Sequence, residues 1–224
     1  MDDEDALRAE LVRTCQAMAR LGLSRGTSGN VSVRCGADLL ISPSGVPYDA
    51  LRPELVVRVR ADGGFAGSVR PSSEWRFHQA ILRAKPEMRA VVHTHSVHAT
   101  AVSVLGRAIP AVHYNIAAAG GGSIPCAPYA LFGTEALAEA IVETMRERRA
   151  CLLAHHGAVA AGVDLAAALG LAEVVEEMAT LYLLCLPMGE PPVLSEAQVA
   201  AAAAAYVGYG QRPGQRSGQR SGRN

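Results

Sequence analysis

Apolar and polar positions recur with two different periods along the chain, and each period predicts a different kind of element. Leu7, Leu11, Met18 and Leu21 lie at helical spacing behind an acidic start, which predicts a helix over residues 5–21. The alternating valines of "NVSVR" then predict a strand, and "DLLIS" and "LVVRVR" predict two more, separated by Gly- and Pro-rich turns.

The remaining two thirds of the chain mixes short β-branched runs with helical patterns. Strands are predicted for "RAVVHTH" and for both halves of "ACLLAHHGAVAAG", whereas "AAAGGGSIPCAPYALFG" is predicted to be a long loop. Helices are predicted for "PSSEWRFHQAILRA", where serines can cap the start, "SVHATAVSVLG", "TEALAEAIVETMRERR", residues 165–186 and "SEAQVAAAAAAY". Because βαβ units do not alternate regularly, the pattern predicts one α/β domain with a largely antiparallel or mixed sheet.

Composition narrows the class of protein. The 224 residues suit one compact domain or two small ones, and half of them are hydrophobic, which is enough for a full core. Basic and acidic residues balance at 21 each, so we expect neither a nucleic-acid nor a membrane partner. The five scattered cysteines and the acidic N-terminus predict a reduced, cytoplasmic protein. The repeat that fills residues 211–224 predicts a disordered tail.

The basic residues are almost all arginine. Lys85 is the single lysine, and it stands before a proline at the end of a predicted helix, where an exposed position is expected. A buried Schiff-base lysine therefore has one poor candidate, and electrophilic chemistry points instead to a metal.

Two histidines have the spacing of a metal chelate. His93 and His95 are two residues apart on a predicted strand, so their side chains leave the same face. Neutral imidazoles suit Zn²⁺ and other borderline divalent ions. The alternative is a polar pair on an exposed strand, but the preceding valines and the following apolar helix argue against exposure. His98 follows the strand end, where it is expected to pack or to support the site.

A third ligand must come from another part of the chain. His155 and His156 occupy adjacent predicted strand positions, so only one of them should reach the metal, and periodicity does not choose between them. His78 and His113 are further candidates, although a structural role is the simpler interpretation of each.

Glu74 is the candidate acid or base. It stands in the predicted first turn of a helix, where a carboxylate also favours the helix dipole without any catalytic role. The serines before it, together with "RGTSGN" and "SPSG", offer small hydroxyl and glycine residues whose backbone N–H groups can surround an anion. Three such stretches beside a chelate suggest a phosphorylated substrate next to a metal.

The motifs taken together carry a family resemblance. "GTSGNVSVR", "ISPSGVPYD", "PSSEWRFH", "AVVHTHSVHATAVS", "IPAVHY", "AAAGGGSIPCAPYALFGT" and "LLAHHGAV" follow one another in an order that resembles the class II aldolase/adducin family, from about residue 5 to about residue 210. The resemblance implies a single catalytic domain over residues 1–210, built as three α/β/α layers around a mainly antiparallel central sheet. It also implies a cyclic homotetramer with active sites at subunit interfaces.

The resemblance further assigns roles residue by residue. It implies one Zn²⁺ per subunit on His93, His95 and His156, with Glu74 as the catalytic acid/base. Tyr114, reaching in from a neighbouring subunit, would handle the proton on the aldehyde oxygen. The phosphate pocket would comprise Thr27, Gly29, Asn30, Ser44, Gly45, Ser72 and Ser73, and the aldehyde pocket would comprise Phe132 and Tyr209.

The implied activity is a reversible, zinc-dependent aldol cleavage. A ketose 1-phosphate, such as L-fuculose 1-phosphate or a related deoxyketose 1-phosphate, would give dihydroxyacetone phosphate and an aldehyde such as L-lactaldehyde. The alternatives in the same family are a pentulose-phosphate 4-epimerase and a lyase acting on 5-deoxypentulose or methylthioribulose phosphate. A non-enzymatic adducin-like module is disfavoured, because such a module needs neither the three histidines nor the glutamate and phosphate loops that this chain retains together.

Overall fold

The computed structural model describes residues 3–67 and 69–206, which form nine strands and six α-helices. The strands are β1 Asn30–Cys35, β2 Asp38–Ile41, β3 Val57–Val59, β4 Ala90–Thr94, β5 Ile109–Pro110, β6 Ser123–Ile124, β7 Cys126–Ala127, β8 Ala150–Leu153 and β9 Gly157–Gly162. The α-helices are α1 Glu4–Arg20, α2 Trp75–Ala84, α3 Val97–Val104, α4 Glu135–Thr144, α5 Leu165–Cys185 and α6 Glu196–Tyr206. Short 3₁₀ segments are Pro53–Leu55, Tyr114–Ala119 and Leu186–Met188.

Seven strands form one central sheet in the order β3-β2-β1-β4-β9-β8-β7, and β5 and β6 form a separate two-stranded ribbon. Every neighbouring pair in the central sheet is antiparallel except β7 with β8, which is parallel. The predicted mainly antiparallel sheet is therefore confirmed. Its central strands, β1, β4 and β9, come from distant parts of the chain, so chemistry-bearing residues from these parts meet at one sheet end.

Side chains that alternate along each strand fill two separate cores. Val31 and Val33 of β1 and Val92 of β4 belong to the core covered by α1, α3 and α5. Val91 of β4 and Val159 of β9 face the opposite way, into the core covered by α2 and α4. Burying apolar residues on both faces requires helices on both faces. The structure thus confirms the three α/β/α layers.

The helices and the longer strands that the sequence predicts are confirmed, whereas β5 and the elements within the glycine-rich loop were not predicted. That stretch contains the end of the 3₁₀ segment Tyr114–Ala119 and the two-residue strands β6 and β7. Two residues are too few to display a period of two, so no pattern in the sequence could have revealed these strands.

Among the described residues, none of the helices combines the length and the apolarity that crossing a bilayer requires. The predicted tail over 211–224 and Tyr209 lie outside the described residues, so these two predictions stay as they were.

Candidate metal centre

Four potential ligands from three parts of the chain meet at one end of the sheet. Glu74 precedes α2, His93 lies on β4, His95 follows β4, and His156 lies between β8 and β9. Their nearest ligand atoms all lie within 4.8 Å of one another. The three imidazole rings are mutually edge-on, with centroids 4.8 to 5.0 Å apart. Such a convergence of one carboxylate and three imidazoles is typical of a divalent metal centre.

The two histidines of the chelate are held by the sheet. His93 is fully buried on β4, and its Nδ1 lies 2.9 Å from the carbonyl oxygen of Ala158 on β9. Because a carbonyl can only accept, Nδ1 carries the hydrogen and Nε2 presents its lone pair. His95 Nε2 lies 2.9 Å from His93 Nε2, and the backbone N–H of His95 donates to the Ser24 hydroxyl at 3.4 Å. The expected shared face of His93 and His95 is what the structure has.

The third histidine comes from a turn and not from a strand. β8 ends at Leu153, so His155 and His156 lie in the β8–β9 turn, and the prediction of two adjacent strand positions was wrong. His155 adopts a left-handed backbone conformation with φ 57°, which is uncommon outside glycine and asparagine. This bend directs His156 into the cluster, while His155 stays at the mouth, with its ring 6.2 Å from that of Tyr129.

Glycine follows His156 because the backbone is crowded there. A Cβ on Gly157 would lie 2.3 Å from the Thr94 carbonyl oxygen and 3.1 Å from Cδ2 of His95. The close approach of β9 to the end of β4 therefore depends on the missing side chain. This contact couples the turn that carries His156 to the residue beside His95.

Glu74 is the N-cap residue of α2, one position before the first turn in which the sequence placed it. The Ser72 hydroxyl accepts from the Glu74 backbone N–H at 3.3 Å. The carboxylate is buried, and its Oε2 lies 3.2 Å from His93 Nε2 and accepts from the Asn30 amide at 2.9 Å. Its Oε1 lies 3.3 Å from His156 Nε2 and has no hydrogen-bond partner.

The charge states suit metal binding. Burial, and to a lesser degree the neighbouring rings, lowers the pKa of His95 and of His156 to about 4, so both rings are neutral near pH 7. Burial raises the pKa of Glu74, but the rings of His93 and His156 and the Asn30 amide lower it by more, so its net pKa lies below the usual range. Neutral imidazoles, an ionised carboxylate and an unpartnered buried oxygen fit a divalent cation.

The three small-residue loops adjoin one another beside the cluster. Backbone bonds from Ser44 to Arg70 and from Ser72 to Ser42 join residues 42–45 to residues 70–73. The Ser42 hydroxyl accepts from the backbone N–H of Val31, which ties both loops to the start of β1. The sequence-predicted residues Thr27, Ser44, Gly45 and Ser73 are exposed here, whereas Gly29 is half-buried and Asn30 and Ser72 are buried.

Two of these positions require glycine. Gly29 and Gly45 have φ values of 73° and 72°, in the left-handed region. At Gly29 a Cβ would also lie 2.6 Å from the His93 carbonyl oxygen. The Tyr48 hydroxyl donates to the Gly29 carbonyl at 2.7 Å and so holds this loop. Exposed hydroxyls on constrained loops suit an anion, and assignment of a phosphate to them remains a prediction.

An aromatic wall borders the cluster. Phe132 lines a cavity of about 310 Å³ together with Ser73, Glu74, His95, His156, His155, Ala130 and Tyr129. Both aromatic side chains are exposed, Phe132 by 60% and Tyr129 by 65%. Sequence reasoning missed Tyr129, although its place three residues before Phe132 in the same Gly- and Pro-rich loop could have suggested it.

Tyr114 is not brought to the cluster within this chain. It begins the 3₁₀ segment Tyr114–Ala119, is 55% exposed and borders a separate cavity with Asn115 and residues of α6. His98 and His113 lie outside the cluster: His98 Nδ1 donates to the Glu176 carboxylate at 2.8 Å, and the His113 ring accepts from the Asn115 N–H. An action of Tyr114 at the metal centre would require a second copy of the chain.

The chain is similar in sequence and in structure to known aldolases. Residues 9–183 match the family model described as "Class II Aldolase and Adducin N-terminal domain". The chain is 48% identical over 211 residues to L-fuculose phosphate aldolase of Escherichia coli (strain K12), covering 94% of this chain and 98% of the relative. It is 45% identical over 205 residues to the 5-methylthioribulose-1-phosphate/5-deoxyribulose-1-phosphate aldolase of Rhodospirillum rubrum, covering 92% and 93%. A solved structure of an L-fuculose 1-phosphate aldolase superposes with a TM-score of 0.87 at 33% identity, covering 90% of this chain and 96% of that one.

Proposed function

The chain belongs to the class II aldolase and adducin family and is an aldehyde-lyase, and from this membership we propose that it reversibly cleaves a deoxyketose 1-phosphate. The products would be dihydroxyacetone phosphate and a short aldehyde. L-Fuculose 1-phosphate, with L-lactaldehyde as the aldehyde, is the first substrate to consider, since the relative from Escherichia coli carries that name.

The observation that carries the proposal is the environment of Glu74. Its buried carboxylate has one oxygen held by Asn30 and the other without a hydrogen-bond partner, beside three imidazoles. A carboxylate of this kind, next to a metal centre and open to a cavity, is suited to moving a proton. A buried carboxylate with a mainly structural role would instead have hydrogen-bond partners at both oxygens.

His93, His95 and His156 would hold the metal, which we propose is Zn²⁺, with one ion per subunit. When bound, the divalent cation supplies Lewis-acid stabilisation of the negative charge that develops on the substrate oxygens as C3–C4 breaks. Three neutral ligands leave the cation its full positive charge for this purpose. Since the chain's only lysine, Lys85, bonds to the Arg146 carbonyl on the surface, a Schiff-base route lacks its nucleophile among the described residues.

The chain's own residues would divide the remaining work. Side-chain and backbone groups of Thr27, Gly29, Asn30, Ser44, Gly45, Ser72 and Ser73 would bind the phosphate and so orient C3 towards Glu74. In its protonated form Glu74 would protonate C3 after the aldehyde leaves, and as the carboxylate it would remove that proton in the reverse direction. The C4 hydroxyl releases one proton for each proton that C3 gains, so the cleavage is balanced. Tyr114 of a neighbouring subunit would take the proton of the C4 hydroxyl, which requires the cyclic homotetramer that the family resemblance implies. We assign this reaction to the cytoplasm.

A second candidate substrate is a 5-deoxypentulose 1-phosphate or 5-methylthioribulose 1-phosphate. The 45% identical relative from Rhodospirillum rubrum acts on these by name. The exposed rings of Tyr129 and Phe132 would offer an apolar surface to a methyl or methylthio end. All of these substrates share the phosphate and carbonyl end, so the aromatic side of the cavity would decide between them.

The test is a comparison of kcat/KM over a panel of ketose 1-phosphates with Zn²⁺ supplied. The panel includes L-fuculose 1-phosphate, 5-deoxyribulose 1-phosphate, 5-methylthioribulose 1-phosphate and, as a control, L-ribulose 5-phosphate. We expect release of dihydroxyacetone phosphate from at least one of the first three. Epimerisation of the control without cleavage of any 1-phosphate would overturn the proposal.

A further inference from the structure

A chain of buried polar side chains runs from the interior of the sheet to Glu74. Ser32 and Asn30 lie two residues apart on β1, so both face α2, and His78 of α2 lies between them. The Ser32 Oγ lies 2.8 Å from His78 Nδ1, and His78 Nε2 lies 2.5 Å from the Asn30 Oδ1. The Asn30 amide nitrogen then donates to Glu74 Oε2 at 2.9 Å. Ser32 and His78 are both wholly buried.

The direction of each hydrogen bond follows from its end at Glu74. A carboxylate oxygen can only accept, so Asn30 must turn its amide nitrogen towards Glu74 and its carbonyl oxygen towards His78. That oxygen also only accepts, so the hydrogen of the His78 ring must be on Nε2. Nδ1 then carries a lone pair and accepts from the Ser32 hydroxyl. The structure therefore specifies one tautomer of His78 and one orientation of the Asn30 amide.

The ring is held in its neutral form, since burial lowers the pKa of His78 to about 3. Leucine or phenylalanine would fill this position between β1 and α2 without needing any partner, because Phe77, Ile81 and Leu82 pack the same helix face. A fully buried imidazole with both nitrogens bonded does more than fill space, since it fixes the orientation of the groups it bonds.

We propose that His78 is a positioning residue for Glu74, acting through Asn30. With the amide fixed, Oε2 of Glu74 stays bonded, and Oε1, which has no hydrogen-bond partner, is the oxygen left to exchange a proton with C3 of the substrate. The inference rests on the proposed function, because it names what holds the acid/base of that reaction. It also gives Asn30 a task separate from phosphate binding.

The first experiment compares His78→Leu with His78→Gln. Glutamine can return a donor at the place of Nε2, whereas leucine cannot. We expect His78→Leu to lower kcat roughly 10- to 100-fold, as loss of a group that orients a functional side chain typically does. KM should stay within about 3-fold and bound zinc should be unchanged, while His78→Gln should recover most of kcat.

A second readout isolates the proton step. Dihydroxyacetone phosphate alone in D₂O exchanges its C3 hydrogen when the acid/base works, which NMR follows without any aldehyde. We expect this exchange to fall in His78→Leu by the same factor as kcat. A raised KM with normal exchange would overturn the inference, since it would indicate that Ser32, His78 and Asn30 act in phosphate binding. Equal losses in His78→Leu and His78→Gln would do the same, since they would indicate packing alone.

A third readout does not depend on His78→Leu and remains decisive if that variant fails to fold. The ¹⁵N chemical shifts of His78 in the wild-type protein should report hydrogen on Nε2. In Ser32→Ala, which removes only the hydroxyl at Nδ1, the Asn30 oxygen should keep the hydrogen on Nε2, but the ring is then held from one side only and C3 exchange should fall. A wild-type ring with hydrogen on Nδ1, or a Ser32→Ala variant with unchanged exchange, would overturn the proposal. Failure of the wild type to cleave any ketose 1-phosphate would instead count against the proposed function, while the tautomer is still measured.

Discussion

At the scale of single residues, three histidines that look equivalent in "HTHSVH" have three different partners. His93 is anchored to the Ala158 carbonyl and presents Nε2 to the cluster. His95 joins it from just beyond the strand. His98 instead bonds to Glu176, whose carboxylate also accepts from the backbone N–H groups of His98 and Ala99 and thereby caps α3. Only two of the three histidines therefore belong to the cluster that could hold a metal, and the third bonds to the carboxylate that caps the following helix.

The first prediction concerns Glu74→Gln. Glutamine is nearly isosteric and can still accept from Asn30, so the fold and the bound zinc should be kept. The variant cannot transfer a proton, and turnover should fall by about 10²-fold or more. Metal analysis and steady-state rates on the best substrate of the panel measure the two effects. Turnover within a few-fold of the wild type would show that Glu74 is not the catalytic acid/base.

The second prediction separates the two neighbouring histidines of the turn. His156→Ala removes a member of the cluster, so we expect it to bind less than one zinc per chain at metal concentrations that saturate the wild type. His155→Ala is the matched control, since its ring lies at the mouth, and it should keep its metal. Equilibrium dialysis with Zn²⁺ measures both. Loss of metal in His155→Ala alone would reverse the assignment.

The third prediction concerns acid. His95 and His156 have folded pKa values of about 4 against 6.5 for the free side chain. Between these pH values the unfolded chain binds protons that the folded, metal-free protein does not. The free energy of unfolding should therefore fall as the pH drops from about 6.5 to about 4. Urea unfolding in EDTA measures this slope, which should be smaller when both residues are changed to glutamine. An unchanged slope would contradict the expectation.

At the scale of elements, the sequence was sufficient for the long helices and for the strands with clear alternation. It failed at β6 and β7, which are too short to show a period, and at the β8–β9 turn, where a non-glycine residue takes a left-handed conformation. It also could not show that the polar face of β1 is buried. Asn30, Ser32 and Arg34 alternate with valines as on a strand with one wet face, yet α2 covers them. Polar side chains that bond to a covering helix look the same in a sequence as polar side chains that face water.

The same distinction between local spacing and long-range contacts explains which parts of the candidate site could be predicted from the sequence. The shared face of His93 and His95 could be predicted from their spacing, because side chains two residues apart on a strand leave the same face. The choice of His156 over His155 came from family resemblance, since it depends on a turn geometry that spacing does not encode. Tyr129 and the chain through His78 were missed because cavity walls and buried hydrogen bonds join residues that are distant in the sequence.

The fourth prediction tests the crowded contact between β9 and the end of β4. In Gly157→Ala the new Cβ would collide with the Thr94 carbonyl, so we expect lower thermal stability and weaker zinc binding together. Gly170→Ala in the middle of α5 is the control, because a Cβ there meets nothing within 4 Å. That change should raise the stability, by about 0.5–1 kcal/mol, since alanine favours a helix over glycine. Calorimetry with and without zinc checks both, and a Gly157→Ala protein with normal metal affinity would disprove the coupling.

At the scale of the whole molecule, one chain holds the Glu74 and histidine cluster and the three small-residue loops but keeps Tyr114 apart. Tyr114 projects from the 3₁₀ segment beside α6, where the Tyr206 hydroxyl bonds to Asn115. Asn115 in turn bonds to Glu177 of α5 at 3.2 Å, so the segment is fastened to its own chain. Because its segment is held in place, exposed Tyr114 is better placed to reach the cluster of a neighbouring subunit than the cluster of its own chain.

The fifth prediction follows from this arrangement. Glu74→Gln and Tyr114→Phe should each be nearly inactive alone. If every site combines Glu74 of one subunit with Tyr114 of the next, mixed assemblies will contain some sites with both wild-type residues. Activity should then reappear when the two variants are unfolded and refolded together, to about a quarter of the wild-type level for random mixing. Mixtures that stay as inactive as their components would place both residues in one subunit.

The buried polar face of β1 has a consequence for how this protein can be recombined. Hydrogen bonds between Ser32, Asn30 and His78, and from Arg34 to the Leu82 carbonyl near the end of α2, have to match donor to acceptor across the β1–α2 boundary. An apolar boundary would tolerate many partners of similar volume. In a chimera with a relative, β1 and α2 should therefore be exchanged as one cassette. A crossover placed between them would leave buried donors and acceptors without matching partners, even when every apolar contact is preserved.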